Sequence, residues 1–192
     1  MRIIAGKWRS RKLDWPEGGV TRPMPDRVRE SLFSVLGSRY GTPGELPPLH
    51  VADVFAGSGS MGLEALSRGA ASCLFFERDR GALAVLRGNL ARLEVGEAGE
   101  VIARDAWSAA VPAIGAPGFD LVFLDPPYRD AADTSADGPI RRYLKRLAPH
   151  AQPGTLVVLH HPRRQSLDPA EEGWQIEEQR EYGTHAVSLI IR

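Results

Sequence analysis

A single cysteine in 192 residues excludes an internal disulfide, so the chain is not a small stapled scaffold of the secreted kind. Cys73 lies in the apolar run Ala70–Phe76, the setting of a buried, unreactive thiol. No apolar stretch approaches the ~18 residues that a membrane span needs. The start, Met1-Arg2-Ile3-Ile4-Ala5-Gly6-Lys7-Trp8-Arg9, lacks the apolar segment of a signal peptide. A cytoplasmic protein with no membrane partner is therefore expected. Net charge is also missing: 24 Lys and Arg stand against 24 Asp and Glu, so bulk charge selects no partner and any nucleic-acid surface has to be a local patch. The histidines (His50, His150, His160, His161 and His185) lack metal-ligand spacing, and no metal is expected. There is no internal repeat and no low-complexity tract.

What is present is the balance of a soluble globular protein, 43% hydrophobic and 25% charged residues. The charges are unevenly spread. Residues 1–12 carry Arg2, Lys7, Arg9, Arg11 and Lys12 without an acid, and Trp8 stands among them. A basic run with an aromatic can contact phosphates and stack on a base; it can equally be a solvated arm whose Trp packs on the body. Residues 23–39 read as a helix, with Val28, Leu32, Val35 and Leu36 on one face. Arg22, Arg27 and Arg29 sit near its start, where the helix dipole does not favour cations, which fits either a phosphate partner or a solvated face. The breaker-rich Gly41–Pro48 follows. The organisation expected is a basic arm and helix over 1–40 and a main domain over 41–192.

From residue 50 strands and helices alternate. Strands are predicted at His50–Phe55, Ser72–Glu77, Glu100–Ala103, Phe119–Leu124 and Thr155–His160, and helices at Met61–Arg68, Arg80–Leu93, Ala106–Ile114 and Ile140–Leu147, the last with Arg141, Arg142, Lys145 and Arg146 outward. Trp174–Arg180 and Ala186–Ile191 alternate and read as a closing hairpin. Continuous apolar strands between helices indicate an α/β fold with a mostly parallel sheet covered on both faces.

Two loops carry chemistry. Gly57, Gly59 and Gly62 in Asp53-Val54-Phe55-Ala56-Gly57-Ser58-Gly59-Ser60-Met61-Gly62 match G-x-G-x-x-G between a strand and a helix, and Glu77 closes the next strand. An acid there can accept both ribose hydroxyls of an adenosine. Asp53 beside the turn suits a cationic ligand and disfavours a pyrophosphate, which points to S-adenosylmethionine rather than a dinucleotide. Asp105 is placed to take an adenine amino hydrogen, or to cap the following helix. The second loop, Asp125-Pro126-Pro127-Tyr128, ends a central strand. Its prolines remove backbone donors. The Asp125 carboxylate and the Pro126 carbonyl then form a paired acceptor for an exocyclic amine, and Tyr128 offers a face for a flipped-out base.

Asp53–Gly59, Gly62-Leu63-Glu64-Ala65-Leu66-Ser67-Arg68-Gly69-Ala70 and Asp125–Tyr128 resemble the bacterial RsmD-like methyltransferases, as do Arg2–Arg9 and Arg22-Pro23 with Asp26–Phe33. These enzymes act on the N2 amine of a guanine in small-subunit ribosomal RNA. The resemblance implies a Rossmann-like class I fold, with seven strands and the last antiparallel. It implies cofactor contacts at Asp53, Phe55, Gly57, Ser58, Gly59, Glu77 and Asp105, and amine contacts at Asp125, Pro126, Pro127 and Tyr128. RNA contacts are implied for the arm (Lys7, Trp8, Arg9, Arg11, Lys12) and for Arg22 and Arg27. The expected partner is 16S ribosomal RNA, within an assembling small subunit, met by a monomer. Met24-Pro25 stand where the family commonly has threonine, so no role passes to Met24. A DNA adenine or cytosine amine as substrate, an NAD-dependent oxidoreductase and a non-catalytic RNA-binding module are the alternatives.

Overall fold

The computed structural model describes residues 1–16, 24–109, 118–163 and 167–192. By compactness the chain forms two units, Met1–Asp105 and Ala106–Arg192; residues 1–40 differ from the rest in charge and proposed role rather than by this division. Among the described residues no helix is long and apolar enough to cross a membrane.

The first unit contains α1 (Asp26–Arg39), β1 (His50–Val54), α2 (Ser60–Arg68), β2 (Ser72–Glu77), α3 (Arg80–Arg92) and β3 (Gly99–Ala103). Its strands lie in the order β3-β2-β1, and both pairings are parallel. Four consecutive β1 residues, Val51 to Val54, are buried, as expected of a strand covered on both faces. Helix α2 presses closely on β2: a Cβ at Gly62 would stand 2.4 Å from the Phe75 ring and 2.5 Å from Cys73 Sγ. The third glycine of the motif is thus required by helix–strand contact. Cys73 is buried, as its sequence setting implied, and burial pushes its thiol pKa well up.

The basic arm is a small closed loop. Arg2 and Lys12 form an antiparallel bridge, and Ile3 and Leu13 are buried. It is fastened to α2 by side chains the sequence did not single out. Glu64, fully buried, accepts the N–H of Ile4 at 2.8 Å and that of Ala5 at 3.1 Å. It also accepts Arg68 Nε–H at 2.7 Å. Ser67 accepts the Trp8 N–H at its Oγ and donates to the Ala5 carbonyl. Gly6 has φ +80°, and a Cβ there would meet the Ser67 carbonyl oxygen at 1.9 Å, so both conformation and contact demand glycine.

Arg29 departs from its expected position. It faces neither solvent nor a phosphate but is wholly buried. It donates to the Arg2 carbonyl and to Asp26, and its Nε lies 3.8 Å from Glu64. Burial lowers its pKa, against the opposing pull of Asp26 and Glu64. Its position explains why a cation is tolerated near the helix start: it neutralises Glu64.

The second unit contains β4 (Phe119–Leu124), α4 (Tyr128–Ala131), α5 (Pro139–Leu147), β5 (Ala151–Pro162), β6 (Gln175–Tyr182) and β7 (His185–Ile191). Its order is β4-β5-β7-β6, with β4 and β5 parallel and β7 antiparallel to both neighbours. The strands form the mostly parallel α/β sheet that the sequence pattern implied, with the seven strands and antiparallel last strand that the resemblance implied. Of the helix expected over Ala106–Ile114, residues 106–108 form a turn and 109 a bend, and the remainder lies outside the described residues. Arg141 is not on the outer side of α5: it pairs with Glu171 and Glu172. Arg142, Lys145 and Arg146 are exposed as expected, and Arg146 also donates to the carbonyls of Ala106, Trp107 and Ala109.

Removing a buried carboxylate that compensates two buried guanidinium groups is costly. Glu64→Ala is expected to lower unfolding free energy by about 3–5 kcal/mol, read from urea midpoints. Hydrogen exchange at the Ile4 and Ala5 amides should accelerate before the rest of the unit.

Candidate functional site

The glycine turn joins β1 to α2 at the carboxyl end of β1, the edge where open α/β sheets bind ligands. Its backbone is unusual for three residues. Gly57 and Gly59 have φ +56° and +81°, and Phe55, which is not glycine, has φ +67°. A non-glycine residue there costs about 1–3 kcal/mol and clusters at ligand sites. Ser58 is fully buried, and its Oγ has no hydrogen-bond partner among the described residues. A buried hydroxyl without a partner is an unmet demand beneath this turn.

Glu77 is tied to the turn. Its Oε2 accepts the Gly57 N–H at 2.9 Å. Oε1 accepts the Arg78 and Asp79 N–H at 2.7 and 2.8 Å. A carboxylate has about four lone-pair positions, so about one remains for a further donor. The sequence expectation of both ribose hydroxyls on Glu77 is thereby narrowed to one, unless Gly57 releases its bond. Asp53 is 2% exposed and accepts the Gly62 N–H at 2.9 Å. It anchors the first turn of α2 rather than facing outward as a partner for a cationic ligand. Asp105 pairs with Arg78 at 2.7 Å, on a partly exposed surface beyond β3.

Sequence reasoning missed the strap over this turn. Asn89, buried on the apolar face of α3, accepts the Asp14 N–H at 3.0 Å and donates to the Asp14 carbonyl at 3.2 Å and the Ser58 carbonyl at 2.9 Å. Arg92 also pairs with Asp14 at 2.9 Å. The continuation of the arm is thus pinned beside the glycine turn, and the Trp15 ring lies about 4 Å from where a Cβ on Gly57 would be. A polar residue on an apolar helical stripe, one turn after Leu86, was the available signal.

In the second unit Asp125 follows β4, and its side chain is 32% exposed. Pro127 accepts the N–H of Asp130 and Ala131 and so starts α4. Tyr128 is 61% exposed, the one large apolar side chain so exposed among the described residues. Its ring meets His185 edge-on at 6.0 Å. His160, which sequence reasoning excluded as a metal ligand and gave no other role, stands with Nδ1 2.8 Å from Asp125 Oδ1. Its ring stacks at 4.9 Å on His185.

Of the residues expected to meet RNA, Lys7, Arg9, Arg11, Lys12 and Arg27 are exposed. Lys7 lies over the half-buried Trp8 ring at 4.2 Å. Arg22 lies outside the described residues. A groove of about 980 Å³ in the second unit is lined by Trp107, Arg129, Arg142 and Lys145 among others, with Asp130, Asp133 and Asp137 interspersed.

The family described as conserved hypothetical protein 95 matches residues 1–191. Ribosomal RNA small subunit methyltransferase D of Escherichia coli (strain K12) is 43% identical over 129 residues, 67% of this chain and 61% of that protein. The aligned stretch is thus under two thirds of that relative's length. Among solved structures, a hypothetical protein of Thermus thermophilus superposes with a TM-score of 0.75 at 31% identity, covering 100% of this chain and 99% of that one. The ribosomal protein L11 methylase of Lactobacillus delbrueckii subsp. bulgaricus gives a TM-score of 0.60 at 19% identity over 88% of this chain and 80% of that one, which shows the shared fold alone.

Asn89→Ala leaves the Asp14 backbone and the Ser58 carbonyl without their side-chain partner. The expected loss is about 1–3 kcal/mol in urea unfolding, the cost of the one fully buried group left unmet, the Ser58 carbonyl. Faster hydrogen exchange at the Asp14 amide should accompany it.

Proposed function

The chain belongs to the conserved hypothetical protein 95 family, that of the RsmD-like methyltransferases, and from that premise we propose that it methylates the exocyclic N2 amine of a guanine in small-subunit ribosomal RNA. S-adenosylmethionine is the proposed donor, and a cytoplasmic monomer acting on 16S RNA within an assembling subunit the proposed setting. The observation that carries this reading is the Asp125–Tyr128 turn, a part-exposed carboxylate held beside an exposed aromatic ring at the end of β4.

The first unit's residues suit the donor. Gly57 has no side chain and only the Trp15 ring near its Cβ position, so a ligand can approach its main chain, whereas the Cβ position of Gly59 is taken by Leu86. The unpartnered Ser58 hydroxyl and the remaining acceptor position of Glu77 call for hydrogen-bonding groups. Asp105 and Phe55 flank the same loop ends and are assigned to the adenosine side. Asp53 keeps its place in the set as the group that holds α2 in register. When bound, the donor supplies an electrophilic methyl group on a sulfonium.

The second unit's residues suit the amine. A guanine amine is a weak nucleophile because its lone pair is delocalised into the ring. Asp125 and the Pro126 carbonyl accept its two hydrogens and turn the lone pair out of the ring plane; Pro127 fixes the turn's direction. Tyr128 stacks the extruded base. Catalysis is then positioning and electrostatic preorganisation. Lys7, Trp8, Arg9, Arg11, Lys12 and Arg27, with Arg22, supply the phosphate contacts and stacking that hold the RNA.

Incubation with labelled S-adenosylmethionine and ribosomal RNA or subunits lacking the modification should label a guanine N2. Asp125→Ala should cut transfer at least about 100-fold, in line with loss of one preorganised transition-state group, while donor affinity measured by calorimetry is little changed. Label entering only DNA, or an unimpaired Asp125→Ala variant, overturns the assignment.

A further inference from the structure

We propose that His160 is a positioning residue for this transfer: its Nδ1–H holds Asp125 Oδ1 and leaves Oδ2 as the acceptor that meets the target amine. The inference rests on the reading of Asp125 given above. Its first support is distance, 2.8 Å between Nδ1 and Oδ1 with the His160 side chain 16% exposed and that of Asp125 32% exposed. An ionised carboxylate only accepts, so the shared proton is on Nδ1. Asp125 follows the last residue of a strand and would otherwise turn freely about its side-chain bonds; one fixed oxygen defines the direction of the other.

The second support is the strand pattern. His160 and His161 are neighbours on β5, so they point to opposite faces. His161 is locked on its own face, with Nδ1 2.9 Å from the Pro162 carbonyl and Nε2 2.8 Å from Ser188 Oγ. His160 faces Asp125 and is backed by His185 of β7, whose ring in turn meets Tyr128. Asp125, His160, His185 and Tyr128 thus form one continuous row, from the carboxylate to the exposed ring.

Their charges are differentiated. Burial disfavours a charge on His160, but the bond to Asp125 and its negative charge outweigh this, and the His160 pKa is raised above the usual 6.5. Burial and the nearby His160 lower the pKa of His185, and Asp125 only partly opposes them. Burial lowers that of His161 as well, with His160 adding to it and the Pro162 carbonyl opposing it. Of the histidines packed here, His160 is therefore the one that charges first as pH falls.

That charge matters to the reaction. As the amine nitrogen bonds the methyl carbon, the carbon–sulfur bond breaks with its electron pair passing to sulfur. The nitrogen becomes cationic, and its surplus proton passes to Asp125 and then to water. Neutral His160 leaves Asp125 its full negative charge for both steps. Doubly protonated His160 weakens Asp125 as an acceptor and adds a cation beside a nitrogen that is becoming one. Turnover should therefore fall as pH drops through the raised His160 pKa, and rise above it.

Three proteins test this: the wild type, His160→Leu and His160→Asn, assayed over a pH series with the RNA substrate. Asn can place an amide N–H where Nδ1–H stands but cannot titrate. His160→Leu should lose about 10- to 100-fold in kcat, the range expected for one hydrogen bond to a charged group, with KM for RNA little changed. His160→Asn should recover most of the loss at high pH and lack the acidic limb. Unchanged kcat in His160→Leu, no recovery in His160→Asn, or the same limb in His160→Asn overturns the proposal. Should His160→Leu fail to unfold cooperatively, the comparison of His160→Asn with the wild type decides alone. An inactive wild type would overturn the underlying reading; an active wild type with an unaffected His160→Leu overturns the positioning role only.

Discussion

A carboxylate without water around it has to find its protons elsewhere, and Glu64 finds them in the N-terminal arm and in α2. It accepts from Ile4, Ala5 and Arg68, and Arg29 lies close enough to add its charge. Two guanidinium groups and a carboxylate buried together would be hard to justify on stability alone, because apolar replacements of the same volume are often no worse. What the cluster does provide is a defined place for a segment that has little apolar area of its own. The arm carries Ile3 and Leu13 inward and five cations outward, which is too little burial to order twelve residues without directed bonds. From Glu64 the same segment runs on to Asp14, where Asn89 holds it and the Ser58 carbonyl together. The arm proposed to grip RNA and the turn proposed to hold the donor are therefore braced by one set of side chains.

The same logic governs each acid at the candidate site. Asp53 holds Gly62, Glu77 holds Gly57, Arg78 and Asp79, and Asp125 is held by His160. None of the three is a loose carboxylate waiting for a ligand. Each is fixed by at least one bond within the protein, and in Glu77 and Asp125 capacity is left over for a guest. A group aimed in advance need not be reoriented during the reaction, which is where preorganised sites gain over water.

The sequence disclosed the parts whose causes are local. The strands Ser72–Glu77 and Phe119–Leu124 coincide with their apolar runs because burial on both faces leaves no polar alternation to blur their ends. The glycine turn was legible because its requirement is a backbone angle, which only the residue itself can meet. Other boundaries depended on partners. β5 was read as Thr155–His160 but runs from Ala151 to Pro162, since pairing with β7 continues to Pro162 opposite His185 after the apolar run has ended. Helix α1 starts at Asp26 rather than 23, because Pro25 adopts the extended conformation of a cap. Least legible were Glu64, Asn89 and His160, whose partners lie 60, 75 and 35 residues away in sequence. Periodicity has nothing to say about such pairs. Only the exception itself, a polar residue where the pattern asks for an apolar one, marks them.

That exception also separates the two kinds of basic residue, which composition had merged into a balanced total. Arg29, Arg68 and Arg141 are buried or nearly so and are matched by Glu64, Glu171 and Glu172 inside their own units. Their charge is cancelled within the protein and cannot attract a distant polyanion. Lys7, Arg9, Arg11, Lys12 and Arg27 are exposed, and their charge is turned to solvent. A chain with no net charge can thus carry a local cationic patch, because residues 1–12 hold five exposed cations and no acid while the exposed acids lie elsewhere in the sequence. Electrostatic attraction to RNA follows the field at the surface, not the sum over the sequence. The buried ion pairs are therefore part of how the arm stays positive. Glu64 lies directly under Ile4 and Ala5, and by consuming its charge internally Arg29 and Arg68 keep it from cancelling the exposed lysines and arginines that follow.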